Sequence, residues 1–268
     1  MMNKFDPHLR FPGTLNFRDM GDHQTAGGGR VRSRRLFRSG HLADTEPSSQ
    51  SDITTLGISL VCDFRIEDER NEQPNQYHVN WKPKFAHLPI WPVVTPGIDN
   101  TVARLMSGEI DIDGAMKDQT GAYREFVREQ NSQFAGMFAA ILDAEHPSIL
   151  LHCSAGKDRT GIAAALLLTA LGVEPIDVRR DYLLTSEGHG ARAQTQFYID
   201  KYWAAYKNEP NCTQEDLHRL FSVQSEKIDA AFDEMRTISG SIEHYLGGAL
   251  ALTDNSIAEL KRRYVAPL

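Results

Sequence analysis

Three cysteines in 268 residues, Cys62, Cys153 and Cys212, are too few and too scattered for a disulfide framework. A fold that depends on such cross-links is excluded, and the count suits a reducing compartment. No Cys-x-x-Cys or His-Glu-x-x-His spacing occurs, and the ten histidines are dispersed, so neither a metal site nor a cofactor is expected. There is no excess of positive charge. The formal net charge of −7 argues against general affinity for nucleic acid or anionic membrane, while leaving room for one local basic pocket. Long apolar runs are missing too: the longest, 162–171, is too short to span a bilayer, so no stable membrane insertion is expected. Met1-Met2-Asn3-Lys4-Phe5-Asp6-Pro7 has no apolar export core. A cytoplasmic protein is expected, with export by a route without a cleaved signal left open. Repeats, low-complexity tracts and linkers are absent as well, which implies a single domain over 1–268. Its oligomeric state is not legible.

What is present is concentrated at His152-Cys153-Ser154-Ala155-Gly156-Lys157-Asp158-Arg159-Thr160-Gly161. Residues 147–152 before it read as a short buried strand. Residues 162–171 after it read as a helix apolar nearly all round, hence buried, with Gly172 placed to end it. The stretch is then a strand-to-helix turn whose backbone N–H groups converge on one point. The helix N-terminus adds free donors and partial positive charge, which suits an anion.

Each residue type has work to do there. A positive field favours the thiolate of Cys153, the nucleophilic form. The planar fork of Arg159 can bind two phosphate oxygens at once. Ser154, Ala155, Gly156, Lys157 and Thr160 are the other candidate substrate-binding residues. Among them, Gly156 permits close backbone approach, Lys157 adds a cation at the rim, and the Thr160 hydroxyl can serve the sulfur. An acid inside an anion-binding loop is anomalous, so Asp158 is read as a proton donor to the leaving group or as the partner of a nearby cation.

The loop resembles the Cys-x5-Arg-[Ser/Thr] signature of the cysteine-dependent phosphatases. The longer string is similar to the bacterial and fungal tyrosine phosphatase branch with broad substrate range. Asn16-Phe17-Arg18-Asp19-Met20-Gly21, Arg38-Ser39-Gly40, Asp63-Phe64-Arg65 with Glu69, Tyr182-Leu183-Leu184 and Gly240-Ser241 with Tyr245-Leu246 extend the resemblance over most of the chain. Asp22 and Ile66 depart from the pattern. The resemblance implies a phosphomonoester hydrolase working through a cysteinyl-phosphate. Its substrates would be phosphotyrosine, with phosphoserine, phosphothreonine or phosphoinositides in range. It also favours Asp158 as the general acid and implies a helical lid at about 98–142. A plain core-facing helix is the alternative there.

The rest of the chain supports an α/β fold, a central mainly parallel sheet flanked by helices. Gly27-Gly28-Gly29 lacks a nucleotide-loop context and reads as a hairpin turn. Residues 51–56 read as a short helix ended by Gly57, and 58–62 as a buried strand with Asp63 at its C-terminal end. Ligands gather beyond such strand ends, so Asp63 and Cys153 are expected on one sheet edge. Four prolines, Pro83, Pro89, Pro92 and Pro96, exclude a long helix over 83–98. Ile98, Val102, Leu105, Ile112 and Met116 suggest an amphipathic segment interrupted by Gly108 and Gly114. Helices are expected over 120–142, 176–187, 192–206, 223–238 and 256–264.

Asp63 competes with Asp158 as acid, with an ion pair to Arg65 or Arg159 as its other reading. Arg18, Asp19 and Arg38 are expected in a structural ion-pair network, and His152 is expected to fix loop geometry. Cys62 reads as a small buried apolar residue, or as a reversible disulfide partner of Cys153. Two rival functions share this loop: a sulfurtransferase using a Cys153 persulfide, and a non-catalytic phospho-binding module.

Overall fold

The computed structural model describes residues 6–91, 97–145, 147–187, 190–206 and 211–267. Expectations resting on Met1–Phe5, on Pro92 and Pro96, and on the side chain of Ile98 lie outside these residues. The strands are β1 (Arg18–Asp19), β2 (Gly29–Val31), β3 (Leu36–Ser39), β4 (Ile58–Asp63), β5 (Lys84–His87), β6 (Ser148–His152) and β7 (Val265–Pro267). The first helices are α1 (Pro47–Thr54), α2 (Glu67–Glu72), α3 (Gly97–Ser107), α4 (Ile112–Glu129), α5 (Asn131–Asp143) and α6 (Asp158–Ala170). They are followed by α7 (Pro175–Leu183), α8 (Ala191–Ala205), α9 (Gln214–Phe221), α10 (Ser225–Ser239), α11 (Ile242–Gly248) and α12 (Asp254–Tyr264).

The sheet order is β1-β3-β6-β4-β5. Within this sheet β1 runs antiparallel to β3 and the other described pairs are parallel, while β2 and β7 form a separate antiparallel pair. Helices cover both faces, which is why β4 and β6 are nearly continuous in apolar residues. Side chains alternate between the faces. Leu60, Cys62, Phe64, Ile149 and Leu151 enter the main core with α4–α7 and α10–α12. Val61 and Leu150 face Phe37, Ile53 and Trp81 on the other side. Nearly every residue of α6 is buried, as its all-round apolar sequence requires.

A separate apolar cluster joins α3, the first half of α4, α8 and α9 through Val102, Leu105, Met116, Ile199, Tyr202, Leu217 and Phe221. The helix expected over 120–142 is two helices, parted at Gln130, where the backbone leaves helical geometry at φ −112° and ψ 17°. Its second half, α5, packs into the main core, while α4 reaches toward the loop after β6. Gly108 does end α3, at φ 78°. Gly114 does not interrupt α4: its N–H is taken by the N-capping carboxylate of Asp111 at 2.8 Å, so it sits in the first turn. Helix α1 starts earlier than expected, with Pro47 in its first turn. Gly27-Gly28-Gly29 lies at the turn that leads into β2, with the Gly28 N–H bonded to the Thr25 carbonyl at 2.9 Å.

Candidate active site

Strand β6 ends at His152 and α6 begins at Asp158, so residues 153–157 make the turn. Gly156 adopts φ 67°, and a Cβ there would lie 2.4 Å from the Gly40 nitrogen, so a side chain is excluded twice over. Cys153 is 2% exposed and lies in the wall of a cavity of about 730 Å³. Ser154, Ala155, Lys157, Asp158 and Arg159 line the same cavity from the loop, and Glu69 from α2. Tyr123 and Phe126 of α4, Tyr198 and Tyr202 of α8, and Phe221 of α9 form aromatic walls above.

Arg159 is fixed at both ends of its fork. Nη1 donates to Glu69 Oε2 at 2.7 Å and to the carbonyls of Ile90 at 3.1 Å and Phe64 at 3.3 Å. Nη2 donates to Glu69 Oε1 at 2.6 Å. The fork is thus pre-set beside Cys153 rather than free to rotate. Glu69 is itself oriented, accepting from the Ile66 N–H at 3.0 Å and from Ser154 Oγ at 2.6 Å. Burial opposes its charge, but Arg159, Ser154 and the Ile66 amide outweigh burial and keep the carboxyl below its ordinary range.

Asp158 faces the cavity and accepts a hydrogen bond from Tyr123 Oη. Lys157 Nζ stands 3.6 Å away. Burial favours the neutral acid, yet Lys157 and Lys227, with Tyr123 and Arg159, hold the carboxyl below its ordinary value. Tyr123 Oη is also 2.7 Å from Tyr182 Oη. Tyr123 spends its one proton on Asp158, so Tyr182 is the donor to Tyr123. Burial first, then the Asp158 charge, pushes both phenols well above their usual range.

Asp63 does share the sheet edge with Cys153, because β4 and β6 are neighbours. Its surroundings favour the ion-pair reading over the acid. Its carboxylate is occupied by Arg65 at 2.9 Å, His152 at 3.5 Å and Arg70 at 3.6 Å, and it does not line the cavity. Burial opposes its charge, and the contacts from His152 and Arg65 more than offset this. His152 is fully buried between Asp63 and the Cys153 carbonyl, the latter 3.4 Å from Nδ1, a position that fixes the loop's entry. Cys62 is buried, and burial, then the Asp63 charge, pushes its thiol up to about 12. It pairs in register with Leu151, so Cys153 lies two residues farther along the same face.

The remaining candidates divide. Lys157 Nζ donates to the Phe221 carbonyl at 2.7 Å, tying the loop to α9. Thr160 is buried, and its hydroxyl has no partner among the described residues. Arg38 and Arg18 do form a buried ion-pair network, around Asp181, at 2.7 Å and 3.5 Å. Asp19 stands apart from it, accepting from the Gly21 and Arg34 amides at 2.8 and 2.6 Å. Cys212 sits against Met106 beside the second apolar cluster. Sequence reasoning missed Tyr123 and Lys227 altogether and gave Glu69 no role. The signals for Glu69 were its place in the resembled stretch after Asp63-Phe64-Arg65 and its position three residues after Ile66, at a helix start.

The tyrosine phosphatase family is matched by residues 9–266. A Cupriavidus necator protein named as a tyrosine-protein phosphatase is 31% identical over 261 residues, covering 96% of this chain and 88% of that protein. The triple specificity protein phosphatase PtpB of Mycobacterium tuberculosis is 32% identical over 193 residues, covering 66% of this chain and 68% of its own length. A Nostoc commune tyrosine-protein phosphatase is 29% identical over 147 residues, 55% of this chain and 46% of its own.

Proposed function

The chain belongs to the tyrosine phosphatase family and is a phosphatase, and from that premise we propose that it hydrolyses phosphomonoesters through a phosphate carried on Cys153. One observation carries the reading: the Cys153 thiol shares a cavity with a guanidinium that Glu69 holds by both oxygens. The Cys153 thiolate attacks phosphorus and forms the S–P bond as the ester P–O bond breaks. Arg159 and the loop amides hold the equatorial oxygens, so positioning and charge stabilisation supply most of the catalysis. Asp158 gives its proton to the departing oxygen. The resulting carboxylate then takes a proton from water, whose oxygen displaces sulfur and restores the thiolate.

The aromatic walls of Tyr123, Phe126 and Phe221 favour an aryl phosphate, so phosphotyrosine in a protein is the first substrate proposed. Phosphoserine, phosphothreonine and phosphoinositides are the wider range to be tested. Arg192 and His218 also line the cavity and supply positive or hydrogen-bonding edges for a larger headgroup. Helices α3, α4, α8 and α9 act in this reading as the lid, held to one another by the second apolar cluster and joined to the main core through Tyr123, Phe126 and Val127 of α4. The test is hydrolysis of p-nitrophenyl phosphate at mildly acidic pH with chelator present. Activity is expected for the wild type and none for Cys153→Ser, with phosphopeptide and phosphoinositide panels to follow. Equal rates for the two proteins would remove Cys153 as nucleophile.

A further inference from the structure

In a planar trans peptide the N–H points opposite to the C=O of the preceding residue. Holding a loop carbonyl outward therefore turns the next amide inward. Residues 16–41 hold three carbonyls of the loop after β6 in this way. The Ser154 carbonyl accepts from the His41 N–H at 2.9 Å. The Gly156 carbonyl accepts from Asn16 Nδ2 at 2.9 Å and from Arg38 Nη2 at 3.0 Å. The Lys157 carbonyl accepts from the same Nη2 at 3.4 Å. The amides of Ala155, Lys157 and Asp158 thus face away from this segment, on the side of the cavity those residues line.

The holding groups are themselves built in. Arg38 and Arg18 are fully buried, and Asn16 is 1% exposed. Asp181 pairs with both arginines, and Arg18 donates to Asn16 Oδ1. Asn16 sits at φ 55°, a left-handed conformation that asparagine tolerates better than most residues. Gly40 has no Cβ to strike the Ser154 carbonyl, which would lie 2.8 Å away. A buried ion cluster is a poor device for packing, since apolar residues of like volume serve as well or better. Its distinctive product here is the direction of two peptide planes. Two guanidiniums against one carboxylate also leave one net positive charge beneath the loop.

We propose that Arg38, assisted by Asn16, is a positioning residue of the phosphate cradle. It holds the Gly156 and Lys157 carbonyls outward and so aims the Lys157 and Asp158 amides at the phosphoryl oxygens. The inference rests on the phosphatase reading above. Its test measures tungstate binding by calorimetry and p-nitrophenyl phosphate turnover, on wild type, Arg38→Met, Arg38→Lys and Asn16→Ala, with circular dichroism as the check of folding. Misaimed amides are lost oxyanion donors, so Arg38→Met is expected to lose about 10- to 100-fold in tungstate affinity and in kcat, with KM moving less. Arg38→Lys, keeping one donor, is expected to recover part of the loss. A folded Arg38→Met protein with wild-type tungstate affinity and kcat overturns the proposal. If Arg38→Met fails to fold, Asn16→Ala decides: roughly a several-fold loss of tungstate affinity is expected, and an unchanged affinity overturns the proposal. Wild-type protein that binds no tungstate would instead sink the reading of this loop as the phosphate site, on which the proposal stands.

Discussion

Asp158 meets two demands that pull against each other. Burial alone would protonate it, but the lysines, Tyr123 and Arg159 keep it ionised. In the proposed role of general acid it must hold a proton when the ester breaks. A phosphate dianion at Cys153 resolves the conflict, because its charge opposes the lysines and raises the carboxyl's proton affinity. Asp158→Asn is then expected to slow alkyl phosphates more than p-nitrophenyl phosphate, whose leaving group needs little protonation. A leaving-group series of kcat/KM values checks this, and equal slowing throughout would deny the acid role. Cys153, Asp158 and Arg159 were legible in the sequence because seven consecutive residues hold them. Glu69 and Tyr123 were not, since they meet Arg159 and Asp158 across 90 and 35 residues. Asp63 looked like an acid because its strand end was legible, whereas its engagement by Arg65 was only one of two readings.

Helix α9 shows how an element can hide in a stretch that reads as polar. Its N-cap, Thr213, and Asp216 bond reciprocally, and Leu217, Leu220 and Phe221 follow at helical spacing. The flanking polar residues masked that pattern, and so did the short length. The other end of the helix is held from outside. Lys157 Nζ takes the Phe221 carbonyl, and buried Lys227 Nζ takes those of Leu220 at 2.7 Å and Ser222 at 3.0 Å. Cations at a helix C-terminus satisfy free carbonyls and the helix dipole together. Burial, then the like charge of Lys157, lowers Lys227 to about 7, with Asp158 pulling the other way. Lys227→Met is expected to speed amide exchange across 214–222 while leaving the sheet strands protected. Hydrogen exchange read by mass spectrometry distinguishes this from a helix held by its apolar face alone, which would keep its protection. The division of α4 from α5 was illegible for another reason: neither glycine nor proline stands at Gln130, and tertiary packing sets the break.

At the scale of the molecule, the parallel sheet and buried α6 were legible because strands and helix buried on all sides need unbroken apolar runs. The ties between distant segments were not, because long-range ion pairs leave no local pattern. Asp181 is the centre of one such tie. Burial raises its proton affinity, but Arg18 and Arg38 overcome this and lower it to about 2. Its folded pKa lies below the ordinary 3.8, so its stabilisation is complete above about pH 4 and is lost as pH falls toward 2. About 2 kcal/mol is expected to go in that window, measured by urea unfolding at stepped pH. An Asp181→Asn protein should be weaker at neutral pH and flatter below pH 4; a parallel acid profile in the variant would contradict the assignment. The same tie bears on synthesis. A nascent chain exposes Cys153 and Arg159 well before Asp181 leaves the ribosome, and Asp181 anchors the arginine beneath the loop. A product of premature termination between those points carries the whole signature loop but lacks the anchor for its cradle. On the proposed reading, such a fragment keeps the Cys153 thiol without the arginine anchor that aims the amides around it.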